Sequence, residues 1–427
     1  MSNGTCGVLH PDMNRSIYLE RYSYGHELMN KPPDPDLEMV VVIPCYFEPD
    51  LISTLQSLAN CAPIAGKVEV FVIVNQSVED TDQVKKFNKQ TVEITNQWIS
   101  SQCTDLSFNI FHKELPEKHA GVGLARKIGM DEAIRRFRHL KKDGLIICLD
   151  ADCICSANYL KALRDHFEAN GNTPGCSIYF EHPLSGPLPP HIYRAIAAYE
   201  LHLRYYTHGL KYSRLPCAFQ TVGSSMAVRS SAYEKQGGMN KRQAGEDFYF
   251  LQKIMKLGEF TELNSTTVFP SSRLSDRVPF GTGKAMIDSV NADGDPYLTY
   301  SPKTFSDLRS IASNVEVLHR ATHSSINKIW DGLSPCFQGY IQKEKFNKKI
   351  LDLNQATRTI SSFTKRFYQW IDGFFAFKYA NYAADNHYPK VDISEAAAWL
   401  LKEMYHLHPA MKDSKTLLHQ FRLLDKQ

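Results

Sequence analysis

Apolar positions along this chain fall into two rhythms. Met39 to Pro44 (MVVVIP) and Val68 to Val74 (VEVFVIV) are almost unbroken β-branched runs, the pattern of strands buried on both faces of a parallel sheet. Between them Leu51, Ile52, Leu55 and Leu58 recur at helical spacing, which predicts a helix over residues 49–60 and a strand–helix–strand unit. Helical stretches over 80–100 and 123–140, followed by Gly144 to Leu149 (GLIICL) as a strand, continue the alternation. The first 150 residues therefore read as a doubly wound α/β sheet.

Beyond Cys155 the alternation loosens into helices over 158–169 and 191–210, a β-like segment over 176–180 and a Pro-rich turn over 183–190. From about Ser301 onward the chain is helical by composition, with amphipathic stretches over 396–407 and 414–424. The aromatic run over 371–382 (IDGFFAFKYANY) is too short and too interrupted to span a bilayer, and an apolar stripe of this kind is expected against a core. The polar opening ends in KPPDPD, so residues 1–38 are expected as a leader and linker, 39–300 as an α/β domain that changes character near 155, and 301–427 as a helical C-terminal region.

With 427 residues, 43% hydrophobic and 22% charged, there is ample material for a large core. A net charge of +3 excludes the broad electrostatic footprint of a nucleic-acid-binding protein but leaves room for a small phosphate-bearing ligand. Ten cysteines without a CxxC pair, and an opening segment (MSNGTCGVLHPDMNRS) without a signal-peptide pattern, suit a reducing cytoplasm. No run approaches the roughly 20 apolar residues of a spanning helix, so any membrane contact is expected to be peripheral.

The chemistry-bearing residues begin where a strand ends. Ile146-Ile147-Cys148-Leu149-Asp150-Ala151-Asp152 delivers two carboxylates past a buried strand, at the edge where open α/β sheets bind ligands. Residues i and i+2 point the same way, and two like charges held together call for a cation. A hard divalent ion, Mg or Mn, shared with diphosphate oxygens suits them, while turn capping by Asp150 stays open as the plainer use. A second acidic pair, Glu246-Asp247, follows Gly245 and opens a helix expected over 248–257, where capping again explains one of the two. Gly121 and Gly123 precede a helix start with Arg126 and Lys127 just inside it, an arrangement suited to a diphosphate or, alternatively, to a solvated helix face.

Taken together these motifs resemble the family 2 glycosyltransferases of the GT-A fold over roughly Met39 to Pro270. Val41-Val42-Ile43-Pro44-Cys45-Tyr46-Phe47-Glu48 is similar to the family's VIPxYNE opening, and the segment from His119 to Gly129 looks like its glycine-rich ARNxG stretch. Asp150-Ala151-Asp152 occupies the place of the DxD motif, Val222 to Arg229 resembles the strand beneath the acceptor, and Glu246-Asp247 stands at the ED motif. The resemblance implies a Rossmann-like mixed sheet flanked by helices, with a nucleotide-binding half over 39–155 and an acceptor half over 156–300. It further implies donor contacts by Pro44, Tyr46, Glu48, Asn75, Gly121, Gly123, Arg126 and Asp150, and a Mn or Mg ion on Asp152 and Asp150. His319 is a further metal candidate, because some GT-A enzymes draw a last ligand from a C-terminal histidine.

By the same resemblance Asp247 would be the general base that takes the acceptor hydroxyl's proton, with inversion at the anomeric carbon, and Glu246 would orient the acceptor. The partners implied are a nucleotide-diphosphate sugar and a glycan, lipid-linked or small-molecule acceptor. The QxxRW motif of processive synthases is absent, which implies single transfers. One departure is plain: the family's aspartate pair after the second strand is replaced by Asn75-Gln76-Ser77, whose amides pair with a base through different donors and acceptors. The loop from Ser272 to Lys284 carries three cations and two glycines and reads as a lid over phosphates or as a solvent loop. Two other classes share parts of the pattern: a haloacid-dehalogenase-type phosphatase, whose nucleophile also sits in a DxD, and a catalytically degenerate sugar-nucleotide or glycan-binding protein.

Overall fold

The computed structural model describes residues 16–274, 286–287 and 296–427. An eight-stranded sheet runs in the order β3-β2-β1-β4-β7-β6-β8-β5. Its strands are β1 (Leu37–Cys45), β2 (Lys67–Ser77), β3 (Leu106–Leu115), β4 (Leu145–Cys148), β5 (Ile154–Cys155), β6 (Gly175–Phe180), β7 (Met226–Arg229) and β8 (Thr261–Phe269). β1 pairs in parallel with β2 and β4, β2 with β3, and β6 with β8, whereas β5 is antiparallel to β8, so the sheet is mixed as expected. Among the described residues before 300, the α-helices include α1 (Ile17–Arg21), α2 (Leu51–Ala59), α3 (Asp82–Ser101), α4 (Val122–Leu140), α5 (Tyr159–Ala169), α6 (Pro190–Tyr212), α7 (Ser230–Lys235) and α8 (Glu246–Met255). Further helices fill the rest of the chain; four of them are α9 (Pro302–Ala312), α10 (Gly373–Asn386), α11 (Ile393–Tyr405) and α12 (Ser414–Asp425).

The chain divides into two compact units, one made of the segments up to Ile52, Pro63–Ala151 and Ala227–Glu246, the other of Ser53–Ala62, Asp152–Met226 and Asp247–Gln427. In the first, β1 and β2 are buried along nearly their whole length, which is why their sequences are apolar without alternation. α4 lies close on them because Gly129 has no side chain: a Cβ there would come within 2.5 Å of Val42 Cγ1. The strand order 3-2-1-4 places a change of winding direction between β1 and β4, and the pairings Pro44 with Ile73 and Val42 with Cys148 bring the carboxyl ends of β1, β2 and β4 to one edge.

In the second unit α6 is the central element. Its residues Leu201, Tyr205 and Leu210 share one core with Phe305 and Leu308 of α9, Tyr379 and Ala380 of α10, Leu400 and Leu401 of α11, and Leu417 and Phe421 of α12. The aromatic run over 371–382 is thus a helix with a buried stripe of Ala376, Tyr379, Ala380 and Ala383. α12 is tied to α6 by charge as well. Glu200, fully buried, accepts from Arg422 Nη2 at 2.7 Å and pairs with Arg204, which also holds Asp425; His208 Nε2 lies 2.7 Å from Asp425. Burial alone would raise the Glu200 pKa, but Arg204, His182 and Arg422 outweigh it and hold the carboxyl well below the usual range. No helix among the described residues is long and apolar enough to cross a membrane.

Three strands of the sheet went unread in the sequence: the two-residue β5, and β3 and β8. β3 is an edge strand with only Phe108 and Leu115 buried, and β8 (TELNSTTVF) is polar along most of its length. Neither presents a continuous apolar run, because each has a face that is not packed against a core.

Candidate active site

Within the first unit the site grows from the start of α4. Gly121 caps the helix, and Arg126 follows one turn in, 2% exposed. Its guanidinium reaches out with both Nη atoms: Nη1 donates to Glu246 Oε1 and Nη2 to Asp150 Oδ1. Glu246 is 3% exposed and Asp150 35%, so one side of this bridge is dry and the other faces solvent. A planar fork with parallel donors is what lets a single side chain hold two carboxylates from distant parts of the chain. The sequence offered a diphosphate or a solvated helix face for Arg126; in the structure it is buried and bonded to the two acidic motifs.

Gly121 and Gly123 also take a different neighbour from the expected one. A Cβ at Gly123 would lie 2.2 Å from the Arg242 carbonyl oxygen and 3.1 Å from Glu246 Cβ, and one at Gly121 would lie 3.1 Å from Gln243 Cα. Both glycines therefore leave room for the backbone that leads into Glu246, whose own carbonyl accepts from Asn240 Nδ2 at 2.9 Å. This close approach is what lets Glu246 reach Arg126.

Around the carboxyl ends of β1 and β2 the remaining candidates of this unit are placed as follows. Pro44 is buried at the end of β1, and Tyr46 just beyond it donates from Oη to Asp80 Oδ1 at 3.0 Å. Phe47 adopts φ 47°, and its N–H donates to Asn88 Oδ1 at 3.0 Å. Glu48, 2% exposed, accepts from the Asp50 N–H at 2.8 Å, leading into α2. Asn75 is buried at 2% exposure, and its carbonyl accepts from Asn88 Nδ2 at 3.2 Å. Asn88, which has no exposure, thus steadies the ends of both strands, a role the sequence reading did not anticipate, since an asparagine among lysines in a helix carries no local sign of burial.

In the second unit Asp152 is 24% exposed, with Oδ2 3.7 Å from Arg273 Nη2. Asp247 sits in the first turn of α8, where its Oδ1 accepts from the Phe248 N–H at 2.7 Å. His319 lies after a short helix with its ring 5.5 Å from that of Phe363, inside the helical C-terminal part. Among the described residues no three His, Cys, Asp or Glu side chains converge as a metal-ligand group. Of the loop from Ser272 to Lys284, residues 275–284 lie outside the described residues.

The chemistry of the donor set can be weighed directly. Asp150 and Asp152 supply hard oxygen donors on partly exposed carboxylates two positions apart, and no third protein ligand joins them among the described residues. Mg and its like are held in just this way, by one or two carboxylates with substrate phosphates and water completing the shell. The residues present fit such an ion.

The model of glycosyl transferase family 2 matches residues 40–235, a stretch that holds the ends of β1 and β2, α4, Arg126, Asp150 and Asp152. No curated protein sequence matches the chain. Among solved structures, that of S. aureus TarS 1-349 in complex with UDP-GlcNAc is 12% identical, with a TM-score of 0.41 over 79% of this chain and 93% of the other. That of GalNAc-T7 with UDP, GalNAc and Mn2+ is 16% identical, with a TM-score of 0.36 over 73% of this chain and 58% of the other.

Proposed function

We propose that this chain, whose residues 40–235 carry a glycosyl transferase family 2 domain, moves a sugar from a nucleotide-diphosphate sugar to an acceptor hydroxyl, with inversion and one transfer per encounter. The observation that carries the reading is the Arg126 bridge, which joins the glycine-rich segment, the DxD and the ED motifs through one buried guanidinium. The bridge lies at the carboxyl edge of the sheet, where open α/β sheets bind their ligands.

In this reading Asp152, with Asp150 two residues before it, would hold a Mg or Mn ion. When bound, the ion supplies Lewis acidity toward the leaving diphosphate. Pro44, Tyr46 and Asn75 would line the nucleoside end, at the carboxyl ends of β1 and β2. Arg126, already desolvated, would exchange one carboxylate for a phosphate oxygen at little cost in side-chain ordering. Asp247 would take the proton of the attacking hydroxyl, and Glu246 would fix the charge and orientation of Arg126 beside the acceptor. The acceptor, a glycan, a lipid-linked sugar or a small molecule, would meet the acceptor half over 156–300, and the absence of QxxRW supports single transfers.

A thermal-shift screen tests this: nucleoside diphosphates and nucleotide sugars, each with Mn, Mg or EDTA, on wild type and Asp152→Ala. A ligand that binds the native state alone raises the melting temperature, by an amount that grows with concentration over Kd. Stabilisation by one nucleotide that needs metal and is lost in Asp152→Ala is the expected result. No response to any nucleotide under any metal would remove the transferase reading and leave the binding or phosphatase classes.

A further inference from the structure

Residues 16–28 lie along α4 and along the segment from Tyr233 to Glu246, and the contacts are specific. Asp131 of α4 has no solvent exposure, yet its carboxylate is fully engaged: Oδ1 accepts from Tyr18 Oη at 2.6 Å and Tyr233 Oη at 2.8 Å, and Oδ2 accepts from the Tyr24 N–H at 2.7 Å. Lys127 Nζ, 3.3 Å from Asp131, donates to Tyr18 Oη at 2.7 Å. Burial pushes the Tyr18 hydroxyl far up and the Lys127 ammonium down. Beyond it, the Leu28 N–H donates to Glu132 at 2.9 Å and Arg135 donates to the Gly25 carbonyl at 3.0 Å.

The same residues touch the 233–246 segment at three points. Ser16 Oγ donates to Glu234 at 3.1 Å, the Tyr18 ring meets Tyr233 edge-on at 5.4 Å, and Lys241 lies 4.7 Å over the Tyr24 ring. Gly238, at φ +70°, passes so close that a Cβ there would be 2.1 Å from Tyr18 Oη. The last of these contacts, at Lys241, is five residues before Glu246, and the neighbouring Asn240 donates from Nδ2 to the Glu246 carbonyl. α4 carries Arg126 at one end of this arrangement and Asp131 at the other.

We infer that residues 16–28 are a positioning strap for the site, and that Tyr18 is the residue through which they hold the 233–246 segment on α4 so that Glu246 meets Arg126. The effect on turnover rests on the transferase reading above; the effect on the segment does not. Tyr18 touches no reacting atom. Its hydroxyl serves an anion and a cation of α4 while its ring and Gly238 set the path of the chain that ends at Glu246.

The test is Tyr18→Phe in the full chain, with Lys241→Met as a milder second variant that removes the contact with Tyr24 and leaves the Tyr18 hydroxyl in place. Amide exchange is read over 239–250 and, as a reference, over β2; transfer to water or acceptor is read with the nucleotide sugar found in the thermal-shift screen. Losing a buried hydrogen bond to charged groups should speed exchange over 239–250 by about tenfold while β2 stays unchanged. kcat should fall by a similar factor with the donor KM within about twofold, because ground-state binding by β1 and β2 is untouched. Unchanged exchange in both variants, faster exchange with normal kcat, or a loss spread equally over β2 would each overturn the inference. If the wild type turns over no nucleotide sugar, a rise confined to 239–250 still supports the strap, and it is the transferase reading that fails.

Discussion

Removing the guanidinium of Arg126 is the sharpest perturbation the structure offers. In Arg126→Leu the Glu246 carboxylate, 3% exposed, would lose its cation in a dry setting, whereas Asp150, 35% exposed, can turn to water. The cost is therefore assigned to the Glu246 side, and breaking a buried pair by deleting one partner costs about 3–5 kcal/mol. The first unit holds about 160 residues, for which each kcal/mol corresponds to roughly 2–4 °C, so melting should drop by about 6–20 °C if that unit unfolds as one. Arg126→Leu combined with Glu246→Leu leaves no orphaned charge and should recover at least half of the loss. Circular dichroism melts of wild type, both single variants and the double variant close the cycle. A shift below about 2 °C for Arg126→Leu, or a double variant whose loss is the sum of the singles, would refute the picture of a dry, coupled pair.

Other outcomes follow from the same coordinates. Gly123→Ala should separate the 242–246 segment from α4, since its Cβ would meet the Arg242 carbonyl at 2.2 Å, and should destabilise by about 1–3 kcal/mol in a urea titration. His202, whose Nδ1 lies 2.7 Å from Thr299 Oγ1, is held down to about 4, first by burial and then by Lys390. Its folded pKa lies below the unfolded value of about 6.5, so the unfolded chain binds the extra proton and stability declines by about 1.4 kcal/mol per pH unit between pH 6.5 and 4. His202→Asn should flatten that limb in melts taken at pH 7, 6, 5 and 4. Glu200 behaves oppositely to a buried, unpaired acid: its depressed pKa gives stability that is complete above the unfolded value and lost only as the pH falls through the folded one, so Glu200→Gln should lower the melting temperature at pH 7 far more than at pH 2.

The fold was legible where burial is symmetrical. β1, β2 and β4 are covered on both faces, and their runs of Val, Ile and Leu announced them; α6, α11 and α12 showed their stripes because each turns one face to a core. β3 escaped because an edge strand buries little, and β8 because Thr, Glu and Asn occupy most of it. The stretch over 16–28 was read only as polar opening sequence, for a related reason. Its anchors are hydroxyls and backbone amides set against a charged helix and a cation–π contact with Lys241, none of which leaves an apolar rhythm.

At the site, what could be read was the type of chemistry, and what could not was its pairing. DxD, ED and the glycine-rich helix start each declare charge at an expected edge, because strand ends and helix starts are local features. That Asp150 and Glu246 share Arg126 is a long-range fact, set by how closely the 242–246 backbone approaches α4, and the only local trace of it is the bare Cα of Gly123. Glycines before a helix were given to a phosphate because a backbone without Cβ admits a ligand; the same bareness admits another strand of chain, and no local pattern separates the two. The distinction matters for the proposed function, in which a nucleotide would compete with these carboxylates for Arg126. The carboxylate it gives up most cheaply is Asp150, the exposed one, and Asp150 is also the one best placed in the sequence to turn to a metal beside Asp152. Donor and cation binding would then be linked through a single side chain, each making room for the other.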